Sequence, residues 1–274
     1  MPPSDDRKTV RAEDLTAEAA RALLEWHFDM GIAEPVGDRP LDWRGAAFGG
    51  PAPKPARDSP AAARPPSAQA GAGAAAREAE RIARGCADFD ALFAAIRAFE
   101  GCALKKTAHS TVICDGVRGA DLLVIGEAPG RDEDRQGKPF VGRAGKLLDA
   151  MLAAIGRSRD ANVLISNVIF WRPPGNRTPS AEERAICLPF AERLIELAAP
   201  KCLLMVGGVS AQTLLRVTTG VMRLRGSWRD YETPSGRKIP AMATLHPAFL
   251  LRQAAQKRLA WRDLMNLEAR LTQG

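Results

Sequence analysis

The chain has 274 residues, of which 46% are hydrophobic and only 5% aromatic, with 39 Lys+Arg against 32 Asp+Glu. That length fits one large α/β domain or a core domain with an appendage, and the apolar share excludes wholesale disorder. No apolar run reaches the roughly 18 residues of a membrane-spanning helix, and the opening MPPSDDRKTV lacks the apolar stretch of a secretory leader, so a soluble cytoplasmic protein is expected.

Residues 14–31, DLTAEAARALLEWHFDMG, place Leu15, Ala19, Leu23 and Trp26 at helical spacing and end on Gly31, which predicts an amphipathic helix. Residues 45–75 are rich in Ala, Pro and Gly and are expected to form a linker or loosely wrapped arm. A second helix is predicted over roughly 76–99, with Ile82, Phe89, Leu92, Phe93 and Ile96 inward.

From about residue 101 the pattern changes. Four short apolar runs follow: Asp121–Gly126 (DLLVIG), Val163–Val168 (VLISNV), Cys202–Gly207 (CLLMVG) and Ile239–Thr244 (IPAMAT). Continuous apolar strands suit a sheet buried on both faces. Helices are predicted between them at about 141–156 and 180–198, after Gly207–Gly208, and at 256–272. This alternation predicts a three-layer α/β/α fold around a four-stranded parallel sheet, with functional loops at the carboxyl ends of the strands. The expected division is an extension over 1–99 and a catalytic domain over 100–274.

Charge separates the same two parts. Residues 1–100 carry 13 basic and 16 acidic groups and residues 101–274 carry 26 and 16, so the first part is net −3 and the second +10. A basic body suits a polyanionic partner, although an Arg-rich surface alone also explains it. The five cysteines, Cys86, Cys102, Cys114, Cys187 and Cys202, include no C-x-x-C pair, and His27, His109 and His246 lie at no zinc-ligand spacing from them.

The loops after the strands carry the chemistry. Gly126-Glu127-Ala128-Pro129-Gly130 forces a tight turn whose backbone N–H groups can approach a ligand. It lacks the ending of a Walker loop and the dinucleotide fingerprint. The acids Asp132, Glu133 and Asp134 would repel a phosphate and also suit a helix N-terminus. Asn167 ends an apolar strand, where an unpaired amide is costly. It either bonds neighbouring backbone or reads a nucleobase edge, since an amide offers a donor and an acceptor together. His246 stands at a strand end beside Pro247, where an α/β active site belongs.

GEAPGRDEDRQGKPFVGRAGKLLD, SNVIFWRPPGNRTPS and LHPAFLL, in this order and spacing, closely resemble family-4 uracil-DNA glycosylases over roughly residues 100–272. The resemblance implies a central four-stranded parallel sheet and excision of uracil from single- or double-stranded DNA as the first step of base excision repair, by a monomer with no membrane attachment. It implies that Phe140 stacks on the extruded base, that Asn167 reads its polar edge against cytosine, and that His246 stabilises negative charge on uracil O2. Glu127 occupies the family's acidic position, and Ala128 and Gly130 form the tight backbone beside it. A more distant branch of the superfamily carries Asp at the place of Ala128 and Tyr at that of Gly130. Glu133 is the reserve candidate for water activation. Arg172, Asn176, Arg177 and Arg252 are expected on the DNA backbone. Leu250 or Leu251 is expected as a wedge in the base stack, against the alternative that these leucines begin a core-facing helix.

The chain departs from the family in two respects. The family's [4Fe–4S] cluster uses four cysteines, of which Cys102 and Cys187 match, whereas Lys105 and Trp171 replace the other two. Two thiolates cannot hold a cubane, so no cofactor is expected, and Trp171 with the N-terminal helices is expected to fill the vacated space. A related branch that traps uracil-DNA covalently has a reactive His after the Asn strand. WRPPGNRTPS contains none, so covalent trapping is disfavoured, and a non-hydrolytic or covalent uracil-DNA binder on the same fold is the alternative reading.

Overall fold

In the computed structural model, which describes residues 66–273, the four apolar runs become the parallel centre of a six-stranded sheet. The strands are β1 (Cys114–Gly116), β2 (Leu122–Gly126), β3 (Val163–Asn167), β4 (Cys202–Val206), β5 (Trp228–Glu232) and β6 (Lys238–Thr244), in the order β1-β3-β2-β4-β6-β5. β3, β2, β4 and β6 are mutually parallel, and β1 and β5 close the edges antiparallel. The expectation of four strands is therefore corrected to six. The two edge strands are short or charged (CDG and WRDYE) and have no apolar run to announce them. Polar edges of this kind also discourage pairing with other chains.

The helices are α1 (Pro66–Gly85), α2 (Phe89–Ala98), α3 (Arg131–Gln136), α4 (Arg143–Ala153), α5 (Ala181–Ala198), α6 (Gly208–Leu215), α7 (Val221–Leu224), α8 (Pro247–Arg252) and α9 (Lys257–Gln273). The single helix expected over 76–99 is two. Gly85 ends the first, and Asp88 caps the second by accepting the Ala91 N–H at 2.8 Å. Residues 66–75, expected as linker, are helical because they extend α1, an Ala-rich helix that packs along α5. The expected helix at 14–31 and the remainder of the linker lie outside the described residues. All described residues fall in one compact unit, Ala63–Gly274.

Side chains alternate across the sheet and build a core on each face. Leu123, Ile125, Leu164, Leu203 and Met205 point into one core with Phe170, Trp171, Phe190, Leu92 and Ile96. Leu122, Val124, Ile165, Leu204 and Val206 point into the other with Leu148, Leu152, Leu250, Leu264 and Leu267. β2 lies between β3 and β4, so the chain reverses its winding there, and the crevice beyond its carboxyl end is the place for a ligand.

Candidate active site

Four strand ends meet at that crevice. β2 delivers Gly126 and Glu127, β3 delivers Asn167, β4 delivers Gly207, and β6 delivers His246 two residues past its end. A Cβ on Gly126 would stand 2.4 Å from Asn167 Oδ1 and 2.5 Å from Phe140 Cζ, so this position must be bare for the amide and the ring to converge. The Phe140 and His246 rings face each other at 5.8 Å between centroids, tilted by 32°. Gly207, at φ 104°, lets His246 approach: a Cβ there would lie 3.2 Å from the imidazole Cδ2.

Asn167 is buried, and its Oδ1 has no hydrogen-bond partner among the described residues. A buried amide oxygen left open costs stability unless a ligand completes it. His246 is held differently. Its Nδ1 accepts the Ala248 N–H at 3.1 Å and so caps α8, which leaves the neutral ring's proton on Nε2. Burial, reinforced by the nearby Arg252 cation and opposed by Glu133, lowers its pKa to about 4. The imidazole is thus a neutral donor at physiological pH. The half-buried Glu127 carboxyl is pushed the other way, above the usual carboxylate range, by burial that Arg184 only partly offsets.

Glu133, the reserve candidate, is placed by the structure as a brace of the loop. One carboxylate oxygen accepts the N–H groups of Val141 and Gly142, both at 2.9 Å, and the other accepts that of Gly130 at 3.1 Å. Three backbone N–H groups thus tie it to the loop around Phe140. Asp134 is buried and accepts the N–H groups of His109 and Ser110, so Glu133 and Asp134 both organise backbone. Ala128 is half-buried and packs against the core that contains Trp171.

The outer residues divide. Leu250 is buried in the second core and is not a wedge, whereas Leu251 is 41% exposed. Arg252 is exposed at the end of α8. Arg172 donates to Asn176 Oδ1 at 2.7 Å, and Arg177 makes a two-pronged pair with Glu183 at 2.6 and 2.8 Å while remaining exposed. The loop from Trp171 to Ser180 therefore presents these cations already braced.

Two supports escaped the sequence reading. Asp263 on α9 is buried, accepts the Thr244 hydroxyl at 2.7 Å and pairs with Arg225, so it fixes the end of β6 just before His246. Its signal was an Asp among the apolar positions Ala260, Leu264 and Leu267 of the same helix face. Arg159 bonds the carbonyls of Pro139 and Phe140 from a turn outside all three motifs, and nothing in its own neighbourhood announced it.

The four positions matching the family's cluster ligands do not suit an iron–sulfur group. Cys102 and Cys187 are buried with their sulfurs 4.0 Å apart, in contact with each other. The Lys105 ammonium is bound to the Arg97 carbonyl and to Glu100. The Trp171 indole is buried and donates to Thr111 Oγ1 at 3.0 Å, so an aromatic ring stands where a third thiolate would be needed.

The family model of the uracil DNA glycosylase superfamily matches residues 115–269. The type-4 uracil-DNA glycosylase of Archaeoglobus fulgidus is 40% identical over 154 residues, covering 55% of this chain and 76% of that protein. That of Pyrobaculum aerophilum is 34% identical over 180 residues, covering 65% and 91%, and that of Thermotoga maritima is 34% identical over 157 residues, covering 57% and 79%.

Proposed function

Because the chain belongs to the uracil-DNA glycosylase superfamily, alongside its type-4 members, we propose that it extrudes uracil from DNA and hydrolyses the bond between the base and deoxyribose, the first step of base excision repair. The observation that carries the reading to this chain's residues is the open Oδ1 of Asn167 beside the Phe140 ring. In the bound state Phe140 covers the face of the base, Asn167 Oδ1 accepts the N3–H of uracil, and the amide N–H donates to O4. Cytosine presents an acceptor at N3 and an amino group at C4, so both contacts become clashes of like polarity.

In the reaction the bond from N1 to C1′ breaks and its electron pair stays on the base. The charge spreads onto O2, where the Nε2–H of His246 donates to it. A neutral imidazole suits this task, because the interaction grows as charge develops and requires no proton transfer. Glu127 carries negative charge beside the cationic sugar and accepts a proton from the water that adds to C1′; it then releases that proton to solvent, and the departing uracil anion takes one up from solvent. The products are free uracil and an abasic site.

Catalysis is assigned to residues 100–274. α1 and α2 pack on α5, where they support the region that a cluster would occupy. The reaction is read as cofactor-free, which the Cys102–Cys187 contact and the buried Trp171 support. Among the described residues no group of three or more His, Cys, Asp or Glu could hold a metal ion, and no helix is long and apolar enough to cross a membrane. The partner is uracil-containing DNA, with Arg172, Asn176, Arg177 and Arg252 on its backbone and Leu251 in the stack, and the protein is read as a monomer.

The test is turnover on an oligonucleotide carrying one uracil. Free uracil in excess of enzyme is expected. A single stoichiometric protein–DNA adduct would instead identify a covalent binder, and no release from uracil-DNA would overturn the reading.

A further inference from the structure

Phe140 adopts φ 54°, a left-handed backbone that costs a non-glycine residue energy unless its surroundings enforce it. The enforcing contacts come from two sides. Glu133 holds the N–H groups of Val141 and Gly142 on one side. On the other side stands Arg159, from the turn before β3. Its Nη2 donates to the Phe140 carbonyl at 2.9 Å and its Nη1 to the Pro139 carbonyl at 3.1 Å. The guanidinium is itself fixed by Asp149 of α4, at 2.7 and 3.0 Å, and by Asp115 of β1, at 2.8 Å. All three nitrogens are used, which only the rigid fork of Arg can do; a Lys ammonium would satisfy the charge but not this geometry. Gly145 completes the arrangement, since a Cβ there would lie 1.9 Å from the Phe140 carbonyl oxygen.

We propose that Arg159 is a positioning residue for base recognition: it locks the Phe140 backbone so that the ring is already in place when uracil arrives. It touches neither the base nor the sugar and acts through Phe140. The inference rests on the uracil-excision reading above. It explains why a half-buried cation with two carboxylate partners sits on a carbonyl pair rather than on DNA.

The experiment is a double-mutant cycle on the full chain, read by single-turnover uracil release. Arg159→Met in the otherwise unchanged protein should lower the rate by about 10- to 100-fold, since a misplacement on the order of 1 Å has that effect. In a Phe140→Ala background the same change should cost less than about twofold, because the ring it serves is gone. Arg159→Lys should fall between, and Arg159→Ala should regain activity with added guanidinium ion, whereas Arg172→Ala should not. An equal loss in both backgrounds would overturn the proposal. If Arg159→Met does not fold, Asp149→Asn leaves Arg159 in place and should give a smaller loss with the same dependence on Phe140; a loss independent of Phe140 counts against the proposal. Failure of the unchanged protein to release uracil would instead remove the functional reading.

Discussion

The Nδ1 of His246 accepts the backbone N–H of Ala248 at 3.1 Å, so the residue proposed to face the base also caps the helix that follows it. The cap needs Nδ1 unprotonated, and the lowered pKa of about 4 keeps it so. The folded value lies below the unfolded one of roughly 6.5, so the unfolded chain takes up the proton first as pH falls. His246 therefore contributes its full stability above about pH 6.5 and loses it progressively as pH falls toward 4. Denaturation midpoints across this window should fall more steeply in the unchanged protein than in His246→Gln. His246→Ala should lower turnover by about 10²- to 10³-fold with little change in affinity for uracil-DNA, measured by single-turnover kinetics and equilibrium binding.

Glu127 is expected to set the acid limb of activity. Burial raises its pKa, so the carboxylate is lost on acidification earlier than an exposed one would be. The single-turnover rate should fall with pH through a limb placed above the ordinary carboxylate range. Glu127→Gln should lower the rate by about 10²-fold and remove that limb. A limb that persisted unchanged in this variant would assign it to another group.

Leu250 and Leu251 separate packing from DNA contact. Leu250→Ala leaves a cavity in the second core and should destabilise by about 2–5 kcal/mol, with equal effects on single- and double-stranded substrates at permissive temperature. Leu251→Ala should leave the melting temperature nearly unchanged. It should slow excision from duplex more than from single strands, because only the duplex has stacking to break. Equal loss on the two substrates would remove the wedge role.

Glu133→Ala strips the acceptor from three backbone N–H groups. A loss of about 2–4 kcal/mol of stability is expected, measured by denaturant unfolding. Activity should drop through the displaced loop, and the acid limb due to Glu127 should stay where it was.

Iron content tests the cofactor-free reading. Protein purified without oxygen should hold negligible iron and show no charge-transfer absorbance. Cys102→Ala and Cys187→Ala should each cost about 1–2 kcal/mol of packing without altering excision. Stoichiometric iron would overturn this reading.

The parallel strands and their chemistry were legible because each carries a strong local signal. An apolar run such as CLLMV marks a strand buried on both faces, and a glycine turn or an isolated Asn or His at its end marks a loop that must do something else. Edge strands were not legible, since WRDYE is a strand only through its pairing with β6. Nor was the helical state of residues 66–75, whose composition is as compatible with a linker until α5 is there to pack on.

The sequence by itself pointed to the side chains of the crevice: Glu127, Asn167 and His246 follow from their places at strand ends, and Phe140 from the resemblance to the family's motif. Only the tertiary structure decided what those side chains can do. In the sequence Glu133 stood in reserve behind Glu127, and Leu250 was as eligible as Leu251. The fold set them apart, Glu133 by hydrogen bonds to residues eight and nine positions away and Leu250 by burial in a core shared with α4 and α9. Arg159 entered for the same reason, through partners 10 to 44 residues distant. Local pattern reports a residue's type and its place in an element; whether its polar atoms are free for chemistry depends on neighbours that only folding brings within reach.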